Sequence, residues 1–179
     1  MKKLLFIFVL ALFLSVPLCA NASIIGDVQL TMQYSSPTDY VQFPSVSGTY
    51  YLDYDVMLNN SGSYDEAFCV EDRNGPTGTS TYTLLSIDAD LLEFNLDASR
   101  YTTAAAIADY FFTNYEGTAS EEAMKAGAQI VVWEIIFDDF TNFNLASGTF
   151  VSSNSYTDEA QTIWNAWQAA SNSYTPSFS

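Results

Sequence analysis

The chain has 179 residues, with 21 acids, 5 bases and no histidine. It is 49% hydrophobic and 16% aromatic, which is enough apolar matter for a core and excludes wholesale disorder. A formal charge of −16 leaves no basic patch for nucleic acid, and the lack of His removes Ser-His-Asp triads, Cys-His dyads and His-ligated zinc.

The first segment reads as an export signal. Lys2 and Lys3 are followed by an apolar run from Leu4 to Leu14, and Ala20-Asn21-Ala22 supplies the small-x-small pattern for cleavage before Ser23. A membrane anchor is disfavoured because the run is short and Pro17 interrupts its end. A lipid-modified Cys19 is disfavoured because Leu18, not a small residue, precedes it. No second stretch is apolar and long enough to cross a membrane, so no span is expected after cleavage. The expected location is outside the cell or on its surface. Cleavage leaves only Arg73, Arg100 and Lys125 against the 21 acids, a formal charge of −18 (3 − 21). It also leaves a single cysteine, Cys69, which cannot form an internal disulfide and needs another explanation.

From residue 23 to about 100 the chain reads as β. Asp27 to Tyr34 is a strand candidate, closed by Ser35-Ser36-Pro37 as loop. Tyr50 to Leu58 is rich in aromatic and branched residues and ends on Asn59-Asn60-Ser61-Gly62. Ala67 to Glu71, Ser80 to Ser86 and Leu91 to Leu96 are shorter candidates, with loop chemistry at Asn74-Gly75-Pro76-Thr77-Gly78. After Arg100 the period becomes helical. One helix is expected over Thr102 to Tyr115, with Gly117 ending it. A second starts near Thr118 or Ser120, carries Glu121 and Glu122 in its first turn, and runs to about Phe137. Phe150-Val151 returns as a strand, and Thr157 caps a last helix from Asp158 to about Ala170. The sum is an α+β fold: a β-barrel or sandwich-like part with a helical insertion or cap. Residues 1–22 are the signal peptide, 23–170 one domain, and 171–179 a loose tail rich in Ser, Asn, Thr and Pro.

Two stretches carry possible chemistry. Phe68-Cys69-Val70-Glu71 places the lone thiol in a strand-like run. Ala128-Gln129-Ile130-Val131-Val132-Trp133 places a Gln inside a mostly apolar helix, where an unbonded amide is costly. Gln129 and Trp133 are four apart and share a helix face. One chemistry joins a lone Cys to a buried Gln. The thiolate attacks the amide carbon, ammonia leaves, and an internal thioester remains for later attack by an amine. It requires proximity, a polarised carbonyl and exclusion of water.

These residues resemble the thioester domains of bacterial surface adhesins, the TQXA type. That family pairs an aromatic-Cys-apolar strand with a later Thr-Gln-x-Ala-Ile-Trp. Phe68-Cys69-Val70 fits the first motif. Gln129 and Trp133 fit the second, with Ala128, Val131 and Val132 standing for Thr, Ala and Ile. The continuation Trp-Glu-Ile-Ile-Phe-Asp is similar to a variant found in exported proteins with a PEP-CTERM sorting tail. The resemblance spans Ala67 to about Asp139. It implies a Cys69–Gln129 thioester, Trp133 as the wall of its pocket, and covalent capture of an amine on a surface protein or matrix glycan in adhesion. No cofactor and no metal enter that chemistry, and the protein would act once per thioester rather than as an enzyme.

Plainer readings stand beside these. Cys69 can be a buried free thiol in a non-covalent binding or structural module of the cell envelope. Gln129 can be a core-edge amide bonded to backbone. Glu134 reads as a solvated helix residue, and Lys125 as a surface partner of Glu121 at i,i+4. Asp53/Asp55, Asp88/Asp90 and Asp138/Asp139 lack EF-hand spacing and read as acidic surface rather than calcium ligands. A Cys69 hydrolase is disfavoured because no His is present to act as base.

Overall fold

A computed structural model describes residues 24–70, 78–85, 97–138, 142–152 and 155–170. The expected export signal, the strand over Leu91 to Leu96, Arg73, Asp88, Asp90, Asp139 and the tail 171–179 lie outside the described residues.

The fold is α+β. One antiparallel sheet is built on a long first strand, β1 (Ile24–Gln42). Along most of its length β1 pairs with β2 (Ser47–Leu58), and Phe43 N–H bonds the Val46 carbonyl at 2.7 Å in the connecting turn. β3 (Asp65–Ala67) lies on the outer side of β2. β4 (Gly78–Leu85) pairs with the first part of β1, and the two residues of β5 (Val151–Ser152) pair with its end.

The loop expected at Ser35-Ser36-Pro37 is corrected: it lies inside β1. Ser35 faces Asp53 while Thr38 faces Tyr51, so β1 carries one residue more than its partner across this step. Pro37 has no N–H to give to the ladder, and a bulge accommodates it without ending the strand. Ser35 Oγ donates to Asp53 Oδ2 at 2.8 Å beside the bulge.

β2 alternates cleanly. Tyr50, Leu52, Tyr54 and Val56 are buried on one face, and the residues between them are half-buried on the other. The buried face meets the helices. α1 (Ala98–Asn114) starts four residues before the expected Thr102, because the Asp97 side chain accepts from Ser99 N–H at 3.0 Å and caps it there. Gly117, with φ +76°, lies just beyond its end. α2 (Glu121–Phe137) has the expected limits. Every residue from Met124 to Ile135 is buried, so this helix is enclosed all round, with α1, α3 (Thr157–Ala170) and the sheet against it. Gly127 marks its closest approach to α3. A Cβ there would lie 2.7 Å from the Ala160 nitrogen and the Glu159 carbonyl carbon, so only glycine fits without displacing backbone.

The far end of α2 is fixed by α1. Arg100 Nη1 donates to the carbonyls of Ile135 and Ile136 at 3.1 and 3.0 Å and also to that of Asp138. These are last-turn carbonyls that the helix itself leaves unbonded, and a cation suits the negative end of its dipole. Asp138 then turns the chain, its Oδ2 accepting from Thr149 N–H at 2.7 Å and Phe150 N–H at 3.2 Å. No helix of the described residues is long and apolar enough to cross a membrane.

Candidate functional site: a cysteine held by the amide of a core glutamine

β3 is short, and only Ala67 of the expected strand Ala67 to Glu71 belongs to it. Past Ala67 the chain leaves the sheet edge and runs over the helices. The Phe68 ring packs edge-on to Phe111 and Phe112 of α1, with centroids 5.7 and 5.8 Å away. This anchor turns the next residue, Cys69, towards α2. The thiol residue is half-buried and forms no disulfide.

Gln129 is fully buried at the middle of α2. Its side-chain amide grips the main chain of Cys69 on both sides. Oε1 accepts from Cys69 N–H at 2.8 Å, and Nε2 donates to the Cys69 carbonyl at 2.7 Å. Two residues 60 apart in sequence thus meet through one amide group. The bonds satisfy a polar group that could not otherwise be buried, and they settle which end of the amide is which. The carbonyl of Gln129 therefore already points at a backbone N–H donor, and its carbon lies beside the residue that bears the thiol.

One turn before Gln129 stands Lys125. The expected surface pair with Glu121 is corrected: Lys125 is 4% exposed and reaches across to β2 and β3. Its Nζ donates to the Tyr54 carbonyl at 3.2 Å and lies 3.5 Å from Asp55 and 3.7 Å from Glu66, with an ion pair to Asp53 closer still. The physical reason is the length of the lysine arm: its methylenes are buried along α2 while the ammonium finds carboxylates at the sheet edge. Burial pushes the Glu66 carboxyl up to about 7, against the pull of Lys125. A hydrogen bond with Glu121 and the charges of Glu121 and Asp53 add to the rise. Asp53 and Asp55, weighed above as calcium ligands, are ion-pair partners of Lys125, and no metal-ligating cluster occurs among the described residues.

One turn after Gln129 stands Trp133, also fully buried. Its ring lies edge-on to Phe43 and Tyr50, with centroids 5.2 and 6.0 Å away, and tilted against Phe150 at 6.2 Å. These contacts place it within the aromatic core, at the other end of the helix face from the carboxylates. Its indole N–H has no hydrogen-bond partner among the described residues. Glu134 is a second correction. It is 1% exposed, not solvated, and its Oε1 accepts from Asn144 N–H at 2.9 Å, tying the loop after α2 back to the helix.

Sequence reasoning passed over Tyr54. Its side chain is buried, and its hydroxyl oxygen has no hydrogen-bond partner of ordinary geometry among the described residues. Burial first, then the neighbouring Cys69, Tyr34 and Tyr50, push its ionisation far above the ordinary phenol range. The signal was present in the alternation Tyr50, Leu52, Tyr54, Val56, which makes Tyr54 inward-facing.

The structure therefore brings Cys69 and Gln129 together, with Lys125 and Trp133 one turn to either side on the same helix. Comparisons with family models, with curated proteins and with solved structures find no match to this chain.

Proposed function

We propose that Cys69 and Gln129 form an internal thioester that captures an amine on a partner, in an exported protein that attaches covalently to a surface protein or matrix glycan. The observation that carries this reading is the double hydrogen bond between the Gln129 amide and the Cys69 main chain. In bond formation the Cys69 sulfur attacks the Gln129 side-chain carbon, and the carbonyl π pair moves onto Oε1. The Cys69 N–H, already bonded to that oxygen, meets the growing charge. Nε2 then leaves as ammonia, taking up the thiol proton. In capture, an uncharged amine attacks the same carbon, the carbon–sulfur bond breaks, and its electron pair returns to sulfur. A stable amide and a free Cys69 remain, so each molecule acts once. The resemblance to thioester domains of surface adhesins supports the same reading, as do the export signal and the lone cysteine.

The test is the intact mass of unreduced protein freshly isolated after signal cleavage. The expected mass is one ammonia below the sequence mass, methylamine adds its own mass to that species, and Cys69→Ala shows the full sequence mass. A full mass in the wild type, with Cys69 open to alkylation and no methylamine adduct, overturns the proposal. A site that formed and then hydrolysed is recognised separately, because peptide mass spectrometry finds Gln129 converted to its carboxylate.

A second reading is favoured by the same contact. An amide that bonds both sides of one residue's main chain is also an effective clamp without any chemistry. In that case the domain is a non-covalent binding or structural module of the envelope, and Cys69 stays a thiol. The full-mass outcome selects it.

A further inference from the structure

After signal cleavage the chain keeps one lysine, Lys125. Its other side-chain cations, Arg73 and Arg100, are guanidiniums, which stay charged and do not attack carbonyl carbon. Lys125 stands four residues before Gln129 on α2, and side chains at that spacing are neighbours on one helix face, with Cβ atoms about 5–6 Å apart. An amide from Lys125 Nζ to Gln129 Cδ would close a ring over one turn without bending the helix. A thioester at Gln129 therefore has an amine of the same chain beside it, at an effective concentration on the order of 10⁵ M, which no outside amine matches. The structure holds that amine elsewhere. Lys125 is buried, and its Nζ is turned to the sheet edge. There it donates to the Tyr54 carbonyl at 3.2 Å, is ion-paired with Asp53, and lies 3.5 Å from Asp55 and 3.7 Å from Glu66. One carboxylate is enough to pair one ammonium. Three, from β2 and β3, fix where it points, and an ion-paired ammonium has no lone pair with which to attack.

We infer that Asp53, Asp55 and Glu66 determine which amine the Gln129 acyl group takes: by fixing the Lys125 ammonium at the sheet edge they bar self-capture and leave the bond to an amine on a partner. The inference rests on the thioester reading and deepens it by naming the residues that set its amine specificity. They are positioning residues and act through Lys125. Self-capture, once the acids no longer hold the lysine, is a balanced acyl transfer. The Lys125 ammonium gives one proton to solvent, and the free amine attacks the Gln129 side-chain carbon. The carbon–sulfur bond breaks, its electron pair returns to sulfur, and the second proton lost by the nitrogen neutralises the thiolate. The product is a Lys125–Gln129 amide and a free Cys69. It has the same mass as the thioester it replaces and leaves no acyl group for a partner.

The experiment replaces the three acids by amides of the same shape, Asp53→Asn, Asp55→Asn and Glu66→Gln together, in the whole chain after signal cleavage. In the wild type, methylamine should add, and trypsin should cut after Lys125 in the opened protein. In the triple variant the mass should stay one ammonia below its sequence mass, but the methylamine adduct should fall about tenfold or more, as expected for competition with an intramolecular amine. Cys69 should then be open to alkylation without methylamine, and trypsin should no longer cut after Lys125. Adding Lys125→Met to the triple variant should restore the adduct, a rescue that mere loss of structure does not give. A folded triple variant that takes up methylamine as the wild type does, and is still cut after Lys125, overturns the inference while the thioester reading stands. So does a variant hydrolysed at Gln129 rather than joined to Lys125, or a Lys125–Gln129 amide already present in the wild type. A wild type of full sequence mass with no adduct overturns the thioester reading and the inference with it. If the triple variant shows no cooperative melt, Asp53→Asn alone, which removes the nearest charge and keeps the shape, is read in the same way.

Discussion

The two ends of one helix face differ sharply. Lys125 and Trp133 are two turns apart on α2 and both lie against β2, yet one meets carboxylates and the other meets rings. At the Lys125 end the contacts are ionic, and the partners are about a quarter exposed. At the Trp133 end the indole is fully buried and its ring neighbours Phe43, Tyr50 and Phe150 are buried aromatics. Gln129 sits at the boundary. The proposed thioester calls for polar groups that fix the amide, which the Cys69 main chain supplies, and for an apolar flank beside its carbon, which the Trp133 end supplies. A single helix thus carries an ionic end and an aromatic end within about 12 Å, at 1.5 Å per residue.

The comparison can be broken by substitution, and the aromatic end should respond most. Trp133→Ala is expected to cost about 3–5 kcal/mol, because a fully buried indole leaves a cavity that the surrounding rings cannot close. Urea unfolding should show that loss to be the same at low and high salt. Lys125→Met comes next. Removing the cation strands Asp53, Asp55 and Glu66 together, and breaking such a set costs roughly 3 kcal/mol, the lower end for buried pairs because these acids are partly exposed. Here the loss should shrink as salt rises. A salt-independent loss would mean that lysine packing, not charge, holds this end.

The boundary is tested by Gln129→Ala in a Cys69→Ala background, where no covalent bond contributes. The clamp alone should be worth about 2 kcal/mol, the scale of leaving a partly buried N–H and carbonyl without partners. Equal stability in the two variants would show that the clamp does nothing for the fold. The smallest effect is a pH slope. The folded Glu66 carboxyl, at about 7, holds its proton more tightly than the unfolded group at 4.5. Its contribution is therefore greatest below 4.5 and is lost as pH rises through about 7. Glu66→Gln should flatten the fall in melting temperature over that window. An identical slope in the variant would remove Glu66 from the account.

Much of the helical half was legible because its signals are local. The limits of α2 follow from Glu121 and Glu122 at its start and a run of apolar residues after them. Cys69 and Gln129 were legible as a pair of unusual residues, one a lone thiol and the other a polar group in apolar surroundings. What their spacing could not reveal is that the amide meets the main chain of Cys69, since that depends on how Phe68 turns the chain against α1. Lys125 and Glu134 were misread for one reason. Their charge suggested solvent, but a helix enclosed on all sides must bury whatever it carries and find partners for it elsewhere. Ser35-Ser36-Pro37 has turn chemistry, yet the long pairing of β1 with β2 outweighs it and absorbs the proline in a bulge.

The clamp also sets an order of events during folding. Its two halves are separated by 60 residues, and Lys125 and the Tyr54 carbonyl by 71. Contacts of such span form only after the intervening chain has paid its loop-closure entropy, so they come late, when the sheet edge and the helices have already docked. If the chain is exported unfolded, as the proposed function implies, Cys69 and Gln129 stay apart throughout the passage. Whatever the pair does, it begins only once the chain has closed around it.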